Sequence, residues 1–154
     1  MSSRDPGSRD SRTSFGSTPA EYALNLFIEQ NEDGIYSRVM DSPVGTAAAV
    51  FRSPVSTTEI EAFARAASNP YRPDSRQYEV ARTSARGIGE RLFDATCAGA
   101  VGAVFHRCMD IAWQASTRLR IRLLLSETPE VLRQPWEILF NHMRNEYMTL
   151  SPHA

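Results

Sequence analysis

The chain has 154 residues, which suits one domain with a sizeable core, or one small domain and the beginning of another. A formal net charge of -1 and a pI near 6.3 exclude a bulk electrostatic attraction to nucleic acid or to an anionic membrane. All 17 basic residues are arginine, which favours a GC-rich bacterial coding sequence. No apolar run approaches the roughly 18 residues that cross a bilayer, so we expect a cytoplasmic protein with neither a nucleic-acid nor a membrane partner.

The beginning of the chain predicts a leader and then a small sheet. Residues 1–19 contain one aromatic side chain among Ser, Arg, Asp, Gly and Pro, too little apolar surface to offset the entropy of ordering, so we expect a disordered leader. Apolar residues alternate over 22–28, a turn follows at 31–34, and an extended pattern resumes over 35–40. A second turn and a further extended segment up to Arg52 complete an antiparallel meander with one buried face.

A short helix is predicted after this meander. Ser56 or Thr57 can cap it, and apolar residues recur at helical spacing over 60–67. Pro70 and Pro73 then force a turn, because each bars the preceding residue from helical geometry.

Two longer helical patterns come next. The polar pattern over 75–96 is interrupted by Gly87 and Gly89, which predicts a loop or a loosened start before Ile88. From Gly99 to about Ser116 the chain carries one apolar stripe, so we expect a buried helix there.

A strand follows, over residues 118–125. Its aliphatic residues alternate with Arg118, Arg120 and Arg122, a pattern that predicts an edge or near-edge strand.

The end of the chain predicts two further short elements. Pro135 suits the first turn of a short helix, which the apolar residues from Trp136 to Phe140 would bury against the sheet. Residues 141–146 indicate a turn, and residues 147–150 a further short strand.

Several of these blocks, in this order and spacing, resemble the N-terminal portion of the CHAT family, whose core is similar to caspase-like cysteine peptidases. The resemblance runs over roughly residues 21–152, and an arginine-alternating strand followed by Pro135, Trp136 and Glu137 is its best single marker. The blocks that carry it are residues 41–45, 51–54, 91–94, 119–123, 135–140 and 147–152.

The resemblance implies an α+β chain that contains the start of a caspase-like α/β domain. The expected divisions are the leader 1–19, a CHAT-type α+β region at 20–116, and the first strand, short helix and second strand of an incomplete caspase-like domain at 117–154. Active members of the family use a His and Cys pair at the C-terminal ends of core strands, downstream of the Pro-Trp-Glu block. No position here matches those motifs, so no catalytic residue is assigned.

Local candidates for chemistry are weak on their own. His106 and Cys108 lie two positions apart, so on a helix their side chains point about 200° from each other and cannot form a base and nucleophile pair. Cys97 could meet His106 or His142 only through tertiary folding, and a cysteine among small residues is usually a buried apolar residue.

Metal and phosphate sites are also not predicted. Cys97, Cys108, His106, His142 and His153 show no paired ligand spacing, so neither a metal nor a cofactor is expected. The segment 87–89 lacks the further glycine, the lysine and the preceding strand of a phosphate loop.

The remaining candidates are read mainly as structural residues. Trp136 is expected to be a core anchor, and Glu137 to meet a helix N-terminus or a strand arginine. The arginines of residues 118–122 could bind a carboxylate or phosphate, but an alternating set of this kind usually forms a solvated or ion-paired face.

Three functional hypotheses remain. The first is a truncated or split CHAT-like protein that acts as a regulatory or interaction module without catalytic activity. The second is the N-terminal part of a cysteine peptidase whose His and Cys pair lies on another segment or chain. The third is a stand-alone domain that binds a peptide or small ligand. We expect the C-terminal strand either to pack with the meander as one α+β unit or to pair with a protein partner, a missing C-terminal domain or a second copy through an open edge.

Overall fold

A four-stranded mixed sheet organises the protein, which a computed structural model describes over residues 21–68 and 76–150. Its strands are β1 (Glu21–Asn31), β2 (Gly34–Asp41), β3 (Ala47–Val50) and β4 (Arg118–Leu125), in the order β3-β2-β1-β4. The first three strands form the antiparallel meander expected from the sequence, while β4 runs parallel to β1. The expected α+β class is confirmed; the proposed leader at residues 1–19 lies outside the described residues.

The helices follow the meander in the chain. They are α1 (Thr57–Ala67), α2 (Arg76–Thr96), α3 (Gly99–Gln114) and the single turn α4 (Pro129–Leu132). Two short 3-10 helices, Trp136–Ile138 and Met148–Leu150, flank a small hairpin of β5 (Phe140–Asn141) and β6 (Glu146–Tyr147).

The core lies between α3 and one face of the sheet. Phe105, Cys108 and Met109 of α3 are buried against this face, to which β1 contributes Leu24 and Leu26. The alternate strand residues on the other face remain half-buried or exposed. The period-2 pattern of the strands therefore gives one packed face and one open face.

Helix α2 is continuous, so the loop predicted around Gly87 and Gly89 is wrong. A Cβ atom at Gly89 would collide with the backbone carbonyl of Ile138, whereas one at Gly87 would meet nothing within 4 Å. Gly89 therefore permits close packing of Trp136–Ile138 on the helix. The interruption of the polar pattern reflects this contact between distant parts of the chain.

The segment after β4 differs in detail from the prediction. Pro129 begins α4, and Pro135 precedes the 3-10 helix instead of starting an α-helix. Trp136 does act as an anchor, because its indole Nε1 donates to the Val131 carbonyl at 2.8 Å and its ring lies 5.8 Å from that of Phe51.

The strand predicted at residues 147–150 is wrong beyond its first residue. Only Tyr147 belongs to β6, which pairs with β5 in a separate two-stranded sheet, and Met148–Leu150 is a 3-10 helix. The Met148 N–H donates to the Leu139 carbonyl at 2.9 Å, which closes this small unit.

The position of β4 agrees with the expected edge strand. It pairs with β1 over its whole length, so the meander and the C-terminal strand form one α+β unit. Its other side has no strand neighbour among residues 21–68 and 76–150.

Candidate functional site

The two thiols lie in environments that favour their protonated form. Desolvation, reinforced by the nearby Asp94 carboxylate, raises the pKa of Cys97 to about 12. Burial also raises the pKa of Cys108, and hydrogen bonds with Ser42 and the Val44 backbone only partly oppose this. Because the thiolate is the nucleophile, neither side chain is activated at neutral pH.

The fold brings the two described histidines to one aromatic side chain. The Phe93 ring lies 6.3 Å from the His106 ring and 6.5 Å from the His142 ring, measured between centroids. Desolvation lowers the pKa of His106, with contributions from Arg144 and His142, while Asp110 opposes the shift. No hydrogen bond joins either imidazole to a thiol within the described ranges, so a base and nucleophile pair is not assembled there.

Polar and charged contacts connect the hairpin of β5 and β6 to the two long helices. His142 Nδ1 lies 3.3 Å from Asp94 Oδ1 on α2, and Arg144 Nη2 lies 3.1 Å from Asp110 Oδ1 on α3. The Arg86 guanidinium also stacks over the Phe140 ring at 4.6 Å. His142, Arg144 and Arg86 therefore hold the hairpin against the helices, which is a structural role.

The described residues form neither a metal site nor a phosphate loop. In the part of the chain that the structure describes, no three His, Cys, Asp or Glu side chains could hold a metal ion. Gly87 and Gly89 lie inside α2, where no phosphate loop exists. His153 lies outside the described residues.

Strand β4 presents one chemically distinctive surface, its outer edge. The Ser126 N–H donates to the Ile28 carbonyl at 2.8 Å, immediately beyond the pair Ile28 and Leu125. In a parallel ladder alternate residues bond to the same neighbour, so the even-numbered residues of β4 face β1. The N–H and C=O groups of Ile121, Leu123 and Leu125 therefore point outward, whereas Leu119 is fully buried and its backbone groups are covered.

The strand arginines divide into paired and unpaired groups. Arg120 Nη2 lies 2.9 Å from Glu21 Oε2, whereas Arg118 and Arg122 have no carboxylate partner among the described residues. Glu137 is exposed and pairs with none of these three arginines, so that part of its predicted role is wrong. Leu124, on the same face as the arginines, is 40% exposed.

A second surface, which the sequence did not predict, is a groove between α1 and α2. Its volume is about 920 Å³, and its lining is mainly small and aliphatic side chains from both helices. The Ser56 and Glu59 capping box begins α1, and the Arg91 guanidinium Nη2 donates to Glu59 Oε1 at 2.8 Å. The spacing of Ser56 and Glu59 could have shown the cap, but the partnership with Arg91 depends on tertiary folding.

No helix in the described ranges is long and apolar enough to cross a membrane. Comparisons with protein-family models, with curated proteins and with solved structures found no match to this chain.

Proposed function

We propose that this protein is a non-catalytic, CHAT-like interaction module that accepts a β-strand of a protein partner along the outer edge of β4. The observation that carries the proposal is that this edge has no strand neighbour among the described residues, although β4 is eight residues long. An unpaired row of N–H and C=O groups is a template for strand addition.

The two edges of the sheet are not equivalent. Strand β3, at the opposite edge, is only four residues long. Short edge strands are one way in which proteins limit unwanted pairing, and β4 lacks that protection. The longer edge is therefore the better receptor for a strand.

The side chains of β4 add selectivity to the backbone groups. Arg118 and Arg122 have no carboxylate partner among the described residues, and Leu124 is exposed beside them. A partner strand with acidic and apolar residues facing this side would gain charge-assisted hydrogen bonds and apolar burial. The partner is a protein strand, for which the remaining part of a caspase-like domain is one source.

Site-specific photo-crosslinking in cells of the native host tests the proposal. We would place a photoreactive amino acid at Leu124 on β4 and, as the matched control, at Val50 on β3; these residues are 40% and 54% exposed. We expect a defined protein adduct at position 124 and none at position 50. The adduct would then be identified by mass spectrometry and its partner purified for direct binding to the full chain.

The possible outcomes distinguish the competing functions. A captured partner that supplies a His and Cys pair and gains peptidase activity with this chain would replace the proposal with the split-peptidase hypothesis. Equal labelling at both positions, or no adduct at either, would contradict a role for the β4 edge. An adduct between two copies of this chain would make the partner a second copy and retain the edge as the interface.

A further inference from the structure

Helix α1 is amphipathic, but none of its side chains belongs to the buried hydrophobic core. It spans 11 residues, and none of them is buried, although Ile60 and Phe63 recur at helical spacing. An amphipathic helix normally buries its apolar stripe. In α1 both side chains are only half-buried. Phe63 lines the groove, whereas Ile60 lines a separate pocket beside Val55 and Gln134.

The groove has the size and lining of a ligand site. Its volume of about 920 Å³ falls in the range of small-molecule pockets. The residues from Arg76 to Arg91 extend about 22 Å along α2 at 1.5 Å per residue, so the groove is long. Its apolar walls are Ala62, Phe63, Ala66, Val80, Ala81 and Ile88. A long, apolar groove fits an extended hydrocarbon chain better than a compact polar ligand.

One end of the groove offers no free charge. Glu59 accepts hydrogen bonds from the Ser56 N–H at 3.0 Å and from Arg91 Nη2 at 2.8 Å, and these contacts lower its pKa to about 2. Arg91 Nη1 also donates to the Pro54 carbonyl at 3.2 Å. The two charges at this end are therefore neutralised by each other.

The other end carries a cation. Arg76 lines the groove, is exposed, and has no ion pair among the described residues. A carboxylate on a bound ligand would complement its guanidinium. Because only the Arg76 end carries an unpaired charge, the acidic head group of a bound ligand would lie at that end.

We propose that the α1–α2 groove binds an amphipathic carboxylate, a long unbranched hydrocarbon chain with one acidic head group. The chain lies against the aliphatic walls of both helices, and the carboxylate lies at Arg76. This site is separate from the β4 edge, and binding there covers the half-buried Phe63 and Ala66 of α1.

Binding of a fluorescent long-chain fatty acid, cis-parinaric acid, to the full chain tests this proposal. We expect saturable binding that dodecanoate displaces more strongly than dodecanol. Ser84→Trp places a large side chain in the groove and should weaken binding by at least about tenfold. Thr83→Trp is the matched control, because Thr83 is an exposed neighbour on α2 that does not line the groove.

A charge variant tests the head-group position. Arg76→Gln should weaken dodecanoate binding by about fivefold, the size of an exposed ion pair, and leave dodecanol binding unchanged. Arg82→Gln, which removes a groove-distant arginine paired with Glu79, is its control. Circular dichroism confirms that each variant is folded.

Three results would overturn the site. They are the absence of saturable binding, equal binding by Ser84→Trp and the wild type, and equal losses in the two tryptophan variants. Equal displacement by dodecanol and dodecanoate would reject the carboxylate as the head group. A concentration-dependent dimer that only Ser84→Trp abolishes, without fatty acid binding, would assign the groove to a second copy and contradict the proposal.

Discussion

Gly89 shows how a single residue can be misread when the fold is unknown. A glycine inside a helical pattern usually lowers helix stability, and the sequence alone therefore predicted a break. The structure uses Gly89 for close approach of the Ile138 carbonyl, a contact between segments about fifty positions apart. Residue-level propensity cannot reveal such a contact, because it depends on where Trp136–Ile138 packs.

We predict opposite effects for the two glycines of α2. Gly89→Ala should lower the free energy of unfolding by about 1–3 kcal/mol, because the new Cβ atom overlaps backbone. Gly87→Ala, with open space around the new atom, should raise the free energy of unfolding by up to about 1 kcal/mol. Urea denaturation of both variants measures the difference, and similar values for the two would contradict the packing assigned to Gly89.

The thiols should be slow to react in the folded protein. Burial raises the pKa of both side chains, to about 12 for Cys97, so little thiolate exists near neutral pH. We expect Ellman's reagent to label neither cysteine at the rate of a free thiol until urea unfolds the chain. Rapid labelling of Cys97 in the native protein would show an activated thiol and reopen the question of a nucleophile.

The stability of the folded state should depend on His106 as the pH falls. Its folded pKa is lowered by desolvation, so protonation is harder in the folded state than in the unfolded state. Its stabilising effect is present above its ordinary value near 6.5 and is lost as the pH falls below it. His106→Gln should therefore reduce the loss of unfolding free energy between about pH 7.5 and about pH 5.5. Parallel pH profiles for wild type and variant would contradict this role.

At the scale of elements, strong local patterns predicted the meander, the third helix and the arginine-alternating strand. Apolar alternation with turn residues is a local signal, and it placed all three antiparallel strands. The segment after β4 was less predictable, because Pro135 fits both the first turn of an α-helix and the position before a 3-10 helix. The contacts of Trp136 with Val131 and Phe51 select the observed form.

The capping box of α1 should control local opening of that helix. Ser56→Ala removes the side chain that accepts from the Glu59 N–H, a change worth about 1 kcal/mol at helix N-termini. Because α1 buries no residue, we expect faster amide exchange within α1 and little change in global unfolding. Thr58→Ala, at the second residue of the helix, is the control. An equal change in global stability would show that α1 unfolds together with the core.

At the scale of the whole molecule, the parallel pairing of β4 with β1 joins the N-terminal meander and the strand that follows the three helices in one sheet. The sequence indicated an edge strand but not which neighbour it would have, since pairing depends on the crossover through the three helices. The α1–α2 groove was not predicted for the same reason: its two walls are ordinary amphipathic patterns until the helices are placed together.

At the scale of the whole molecule, the fold has two separate surfaces, the β4 edge, for which we propose a protein strand, and the groove, for which we propose an amphipathic carboxylate. No residue of β4 lines the groove, so the two surfaces share no side chain. We therefore expect that occupying the groove leaves crosslinking at Leu124 unchanged. A loss of the adduct in saturating dodecanoate would show instead that the two surfaces are coupled.

Residue-resolved amide exchange of β4, measured by NMR with and without the crosslinked partner, tests the central claim most directly. In the free protein the even-numbered amides, which bond to β1, should be protected, while those of Ile121, Leu123 and Leu125, which are not fully buried, exchange quickly. The partner should slow these three amides by at least about tenfold and leave the even-numbered amides unchanged. Unchanged exchange at the odd-numbered positions in the saturated complex would contradict strand addition at this edge.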